Sequence, residues 1–87
     1  MYKKNGQTTE DMEGVRRTLA VLRAVNARRG RWFGVSEIAD AVGMAKGTTH
    51  RYLTVFVEEG ILQHEIGKIT GKYAVAGSVP TPQANMR

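Results

Sequence analysis

Residues 35–60 read VSEIADAVGMAKGTTHRYLTVFVEEG, and this stretch carries the strongest evidence for the fold. Its first eight residues are rich in Ala, Val and Ile, and they run directly into Gly43. Glycine adopts positive φ without steric cost, which suits a tight turn between two helices. A second and longer helix is predicted to start at Ala45 or Lys46 and to continue to Glu59. The stretch therefore predicts a short helix, a glycine turn and a longer helix.

The longer helix has one apolar face. Thr49, Leu53, Phe56 and Val57 recur at the spacing of a buried helical stripe. At 100° per residue, Arg51 lies about 200° from Thr49, so its side chain points away from this stripe. We therefore expect the longer helix to pack on a core through one face and to present a basic, outward face.

A further helix is predicted before this pair. Thr9 is a plausible N-cap, and carboxylates follow it in the first turn, where they complement the helix dipole. Val15, Leu19 and Leu22, with Val25 as a further candidate, then recur at helical spacing and predict the buried stripe. The helix is expected to close near Gly30, after two arginines.

The remaining regular segments favour a small sheet. Residues 31–35 are β-prone and predict one strand at a sheet edge, after which Ser36 is expected to cap the short helix. Residues 61–66 and 72–75 both carry strand-type side chains, and residues 67–71 between them contain two glycines. Two such runs joined by a short glycine-bearing loop predict a β-hairpin.

The chain length allows one domain and excludes two, since 87 residues bury too little surface for separate cores. Residues 1–8 are polar and aperiodic, and we expect a flexible arm. Residues 9–76 form the predicted domain. Residues 77–87 contain both prolines, Pro80 and Pro82, and we expect a disordered tail.

The charge balance favours a polyanionic partner. Thirteen Lys and Arg against eight Asp and Glu leave a formal net charge of +5, with a pI near 10.0. Nucleic acid is the first candidate partner and an acidic membrane surface the second. No apolar run approaches the length of a membrane span, and the N-terminal residues lack the apolar centre of a signal peptide, so we expect a cytoplasmic protein.

No metal or cofactor is expected. The chain has no cysteine, which excludes disulfides and thiolate zinc sites. His50 and His64 are the two histidines, and they do not stand at a recurrent ligand spacing. His64, on a predicted strand, has no partner at a spacing diagnostic of proton transfer, so no catalytic role is assigned to it.

Taken in chain order, these elements predict an α+β winged helix-turn-helix domain. Three helices precede a small antiparallel sheet, whose C-terminal hairpin would be the wing. In such domains the second helix of the pair enters the major groove of DNA. Each separate element is common, but the complete order combined with a basic charge balance is much more specific.

Five segments also resemble one family, the N-terminal DNA-binding domain of IclR-type bacterial regulators. The similarity runs from Gly14 to Gly77. The matching segments are VRRTLAVL (15–22) for the first helix, VSEIADAVG (35–43) for the second helix and turn, KGTTHRYL (46–53) for the recognition helix, EEGIL (58–62) for the junction with the wing, and GKY (71–73) for the returning strand.

The resemblance implies a DNA-binding regulator with no catalytic activity, and two departures qualify it. The effector-binding domain of full regulators has no counterpart here, so we expect no small-molecule effector. Ala45 and Gly47 stand where the family usually has proline and serine, which removes one hydroxyl that would contact phosphate. Gly47 either allows close approach of its N–H to a phosphate or marks a frayed first turn.

The candidate DNA-binding residues share an outward position on the recognition helix or a place in the wing. They are Lys46, Gly47, Thr48, His50, Arg51, Tyr52, Lys68 and Lys72. For several of them a structural interpretation stays open: solvent exposure for His50, packing for Tyr52, and solubility alone for the two wing lysines.

Two further groups have open roles. Arg28, Arg29 and Arg31 either brace phosphates or terminate the first helix favourably. Trp32 and Tyr73 are expected to be core aromatics rather than platforms for base stacking.

The expected function is that of a sequence-specific regulator that binds double-stranded DNA and represses transcription. The recognition helix would lie in the major groove, and the wing on the backbone or in the minor groove. The alternative is a protein–protein interaction module, because winged helices also dock proteins. An enzyme is not expected, since no catalytic motif is present. Val21 and Val25 extend the apolar surface of the first helix and predict a homodimer through it.

Overall fold

The computed structural model describes residues 12–65 and 71–80. The described part is a winged helix-turn-helix: three helices precede a two-stranded antiparallel sheet. In chain order the elements are α1 (Glu13–Asn26), α2 (Val35–Val42), α3 (Lys46–Glu58), β1 (Leu62–His64) and β2 (Tyr73–Val75). The predicted α+β class and element order are confirmed. Thr9, the predicted cap of the first helix, lies outside the described residues, as does the predicted arm at 1–8.

The turn between α2 and α3 forms as its glycine predicts. Gly43 lies in the left-handed region with φ 68° and ψ 40°, and its N–H donates to the carbonyl of Ala39. Ser36, however, is not the N-cap of α2, because the helix already begins at Val35 with Gly34 in the capping position. Gly34 has extended backbone and lets the chain pass directly from the sheet edge into the helix.

The sheet is smaller than predicted. β1 and β2 pair in a register that places Leu62 opposite Val75 and His64 opposite Tyr73. The strand predicted at residues 31–35 contracts to one bridge, in which Phe33 and Tyr73 exchange two N–H···O bonds of 2.8 Å. A longer strand has no room, because α2 starts two residues after Phe33.

The core joins all five elements. Its buried cluster consists of Val21, Val25, Phe33, Ile38, Leu53, Phe56, Leu62, Tyr73 and Val75. The predicted stripe of α3 is confirmed, since Thr49 and Leu53 are 0% exposed and Phe56 is 5% exposed. Tyr73 is a core aromatic as predicted. Trp32 is only partly buried and does not belong to the cluster.

The prediction for the buried face of α1 is wrong for its first half only, since Leu22 packs against the core and Val25 belongs to it. Val15 and Leu19, expected in the core, are 50% and 44% exposed, whereas Val21 and Val25 are fully buried. Val21 lies about 120° around the helix from Val15, so burying one leaves the other outside. Val21 and Val25 are therefore unavailable to a partner subunit.

The end of the domain is tied to the hairpin and to the turn after α1. The N–H of Gly77 donates to Oε1 of Gln63 at 3.0 Å, and Oγ of Ser78 accepts from the N–H of Gly30 at 3.1 Å. Both residues stand at the start of the segment predicted as tail, and residues 81–87 lie outside the described part. None of the helices described in residues 12–65 and 71–80 has the length and apolar character of a membrane span.

Candidate nucleic-acid interface

The outward face of α3 is open to solvent. Lys46, Gly47, Thr48, His50 and Arg51 are all exposed. The buried stripe holds the opposite side of the helix in the core, so these five positions are presented away from the body of the domain. The face combines two cations, an imidazole, a hydroxyl and a glycine, which are groups that contact phosphates and base edges.

The first turn of α3 offers free backbone donors. Ala45 precedes the helix with extended backbone and makes no side-chain cap, so no side chain caps the first amides. Uncapped N–H groups and the positive end of the helix dipole favour an anion at this position. A Cβ added to Gly47 would meet no atom within 4 Å, so the protein itself does not require glycine there.

Tyr52 lies at the border of this face. Its ring is partly buried and packs against the core cluster. On the side toward α1, an open groove is lined by Thr18, Arg51, Tyr52, Val55 and Phe56. The apolar wall of this groove includes Val55, which is 49% exposed. Tyr52 therefore serves packing, and any hydroxyl contact to phosphate is additional to that role.

The wing brings one predicted lysine to the surface. Lys72 is exposed, and its carbonyl accepts from the N–H of Glu65 at 2.9 Å, which extends the hairpin beyond the two strands. Lys68 lies outside the described residues. The contribution of both lysines to DNA binding stays a prediction.

Sequence reasoning did not find a cleft between α3 and the hairpin. Ser36 at the start of α2, His50 on α3, and His64 and Tyr73 on the hairpin all line it. The imidazole of His64 stacks on the ring of Tyr73, with centroids 4.6 Å apart and planes 16° apart. These residues are far apart in the chain. A sequence-based prediction of the strand register would have placed His64 opposite Tyr73 and so indicated the hairpin side of the cleft.

The arginines after α1 bind a carboxylate of α2. Nε of Arg28 lies 2.7 Å from Oε2 of Glu37, and Arg31 binds the same carboxylate. These hydrogen bonds, chiefly that from Arg31 and then that from Arg28, lower the pKa of Glu37 from 4.5 to about 2. Arg28 also donates from Nη1 to the carbonyl of Ala24 in the last turn of α1, at 2.8 Å. The structure thus favours helix termination over phosphate contact for Arg28. Arg31 is paired with a carboxylate of the same protein.

Metal ligands do not gather in the described part of the chain. Within residues 12–65 and 71–80, no group of three or more His, Asp or Glu side chains is arranged to hold a metal ion.

Comparison with known proteins agrees with this geometry. The family model for the IclR helix-turn-helix domain matches residues 14–65. This range contains α1 from its second residue onward, all of α2 and α3, and β1. No curated protein and no solved structure matched the chain. The matched range covers more than half of the 87 residues, and the chain therefore belongs to the IclR helix-turn-helix family, as a DNA-binding domain of transcription regulators.

Proposed function

We propose that the protein is a repressor that recognises a specific sequence of double-stranded DNA through α3. The carrying observation is the outward face of α3, where Lys46, Gly47, Thr48 and Arg51 are exposed beside an uncapped helix N-terminus. Arg51 stands farthest from the core stripe and is suited to bidentate contact with a guanine edge in the major groove. Lys46 and the first amides of α3 then hold adjacent phosphates.

The wing extends this contact along the backbone. Lys72 is exposed next to β2, and Lys68 stands in the same hairpin connection of the sequence. Lysine acts on phosphate as a point charge and carries no base information. In this proposal the wing adds affinity on any duplex, at the backbone or in the minor groove, whereas α3 selects the site.

A homodimer completes the proposal. Met12, Val15 and Leu19 are 41%, 50% and 44% exposed, and they follow one side of α1. This surface replaces Val21 and Val25 as the site for the second subunit, since exposed apolar side chains on one helix face favour association. Two subunits would read half-sites separated by about one helical turn, roughly 34 Å.

The alternative function is a protein–protein interaction module. The same exposed apolar side chains, together with Val55 on α3, are the observation in its favour. The two functions differ in their response to salt, because neutralising phosphates releases counterions and makes duplex affinity fall steeply as salt rises.

Selection of bound sequences from random duplex DNA tests the proposal. We expect enrichment of one motif with two related half-sites, and an affinity for it that falls steeply with salt. Sedimentation of Leu19→Glu, compared with the parent protein, tests the dimer surface, and a promoter–reporter assay carrying the motif tests repression. Failure to enrich any motif, together with weak binding that is insensitive to salt, would favour the interaction module.

A further inference from the structure

We propose that the cleft between α3 and the hairpin is a binding site for a backbone phosphate of DNA, at which His50 and His64 take up protons on binding. The inference rests on the proposed function and deepens it. It gives a role to His64, to which the sequence assigned none, and it makes affinity for DNA depend on pH.

Three elements of the fold bring the cleft together. Its volume is about 390 Å³, and its described lining is Gly34, Val35, Ser36, His50, His64, Gly71 and Tyr73. The chain has two histidines, and both line this opening. Because His50 lies on α3, the cleft borders the face proposed to enter the major groove, where the adjacent backbone passes.

The donors of the cleft suit a phosphodiester. Ser36 and Tyr73 carry hydroxyl groups, and each protonated imidazole provides N–H donors. Tyr73 is only 3% exposed, and its hydroxyl group has no hydrogen-bond partner among residues 12–65 and 71–80. Buried tyrosine hydroxyls normally have a partner. A phosphate oxygen bound in the cleft would provide one.

The ring of His64 is held in place. Its stacking on Tyr73 fixes the plane of the imidazole, and a Cβ added to Gly71 would lie 4.0 Å from its Nε2 atom. Gly71 thus passes close to that nitrogen. An oriented donor loses less conformational freedom when it binds than a free one does.

The described lining of the cleft is compatible with an anion. None of the described residues that line it is acidic. The titratable and charged side chains on the elements that form the cleft are Glu37 and Asp40 on α2, Lys46, Arg51 and Glu58 on α3, and Lys72 and Tyr73 on the returning strand, and Glu65 follows β1. The carboxylate of Glu37 is bound by Arg28 and Arg31. A phosphate bound in the cleft would place a negative charge next to both histidines, which favours their charged form.

Histidine is the side chain that ordinarily changes charge between pH 5 and 8. A bound phosphate favours the charged imidazolium, so affinity rises as pH falls. For each histidine whose pKa rises by one unit on binding, the affinity changes by about tenfold across the transition.

The test measures the affinity of a scrambled duplex from pH 8 to pH 6 at constant ionic strength and with EDTA present. The proteins are the parent, His50→Gln, His64→Gln and the double variant, all of which change exposed side chains. We expect the parent to bind about tenfold or more tightly at the lower pH. Each single variant should lose part of this dependence, and the double variant should lose most of it. Lys72→Gln is the matched control: it should weaken binding at every pH and keep the dependence.

The outcomes are distinguishable. Absence of duplex binding by the parent at every pH would defeat the proposed function itself. Duplex binding whose pH dependence is the same in the parent and in the double variant would overturn only the phosphate site. A dependence on His50 and His64 that is absent with EDTA and appears only when Zn²⁺ replaces EDTA would also overturn it, because the pair would then be binding metal. Loss of affinity in Tyr73→Phe, with an unchanged melting temperature, would support the hydroxyl contact.

Discussion

The two faces of α3 have opposite surroundings although they belong to one helix of thirteen residues. Thr49 and Leu53 on one face are 0% exposed, and the hydroxyl of Thr49 donates to the carbonyl of Ala45 at 2.9 Å. Lys46 and Arg51 on the other face are exposed. The buried face sets the rotation of the helix about its axis, and that rotation in turn determines which side chains are presented to solvent.

A second contrast separates cations by their partners. Arg28 and Arg31 are bound to Glu37, so much of their charge serves to join α1 to α2. Lys46 and Arg51 have no carboxylate partner within residues 12–65 and 71–80. The net charge of the chain does not identify a binding face, because an arginine paired with a carboxylate contributes the same charge as an unpaired one.

The largest expected effect is that of Leu53→Ala, which removes a fully buried side chain from the centre of the core. We expect a loss of about 2–5 kcal/mol in the free energy of unfolding, because a large-to-small change leaves a cavity. Val55→Ala on the same helix is the control, and its 49% exposure predicts a change within about 0.5 kcal/mol. Urea unfolding measures both. Equal losses in the two variants would contradict the division of α3 into two faces.

Arg51→Ala should affect DNA binding and leave the fold unchanged. We expect the affinity for the selected duplex to fall by about 1–3 kcal/mol, the range for an arginine that reads a base. Arg29→Ala removes the same charge from an exposed arginine that donates to Oδ1 of Asn26 at 3.5 Å, and it should have a much smaller effect. Titrations with the selected and the scrambled duplex measure the difference. A similar loss in both variants would mean that Arg51 acts only through its charge.

Replacing both wing lysines, Lys68 and Lys72, by glutamine tests whether the outward face extends beyond α3. Selected and scrambled duplexes should lose affinity by similar factors, because phosphates carry no base code. Each lost phosphate contact should reduce the magnitude of the negative slope of log affinity against log salt by about 0.9. The slope is measured from titrations at several salt concentrations. If it does not change, the wing does not contact the backbone; if only the selected duplex is affected, the wing reads bases.

The smallest effect is expected for Gly47→Ala. The added methyl group enters open space, and alanine should stabilise the helix by up to about 1 kcal/mol. If the Gly47 N–H approaches a phosphate closely, the same methyl group should weaken duplex binding while thermal stability rises. A melting curve and a titration distinguish the two earlier interpretations: unchanged affinity would indicate that Gly47 only loosens the first turn.

The features that were predicted correctly depend on neighbours in the chain. The Gly43 turn follows from the one residue type that adopts its φ of 68° without strain. The stripe of Thr49, Leu53 and Phe56 follows from the helical period. The prediction of Ser36 as the cap was wrong because a capping preference is local, whereas the start of α2 depends on the sheet. The bridge of Phe33 to Tyr73 leads the chain into α2 already at Val35, one residue before Ser36.

Local periodicity in the sequence was thus sufficient for the order of the elements, the turn, the core face of α3 and the exposure of Arg51. Periodicity was insufficient for α1, which has apolar residues on more than one side. Packing against α2, α3 and β2 buries Val21 and Val25 and leaves Val15 exposed. Periodicity was also insufficient for the cleft, where Ser36, His50 and His64 meet only after the chain has folded. Backbone geometry alone relates residues within a helix or strand, whereas contacts between elements depend on how their surfaces fill a common core.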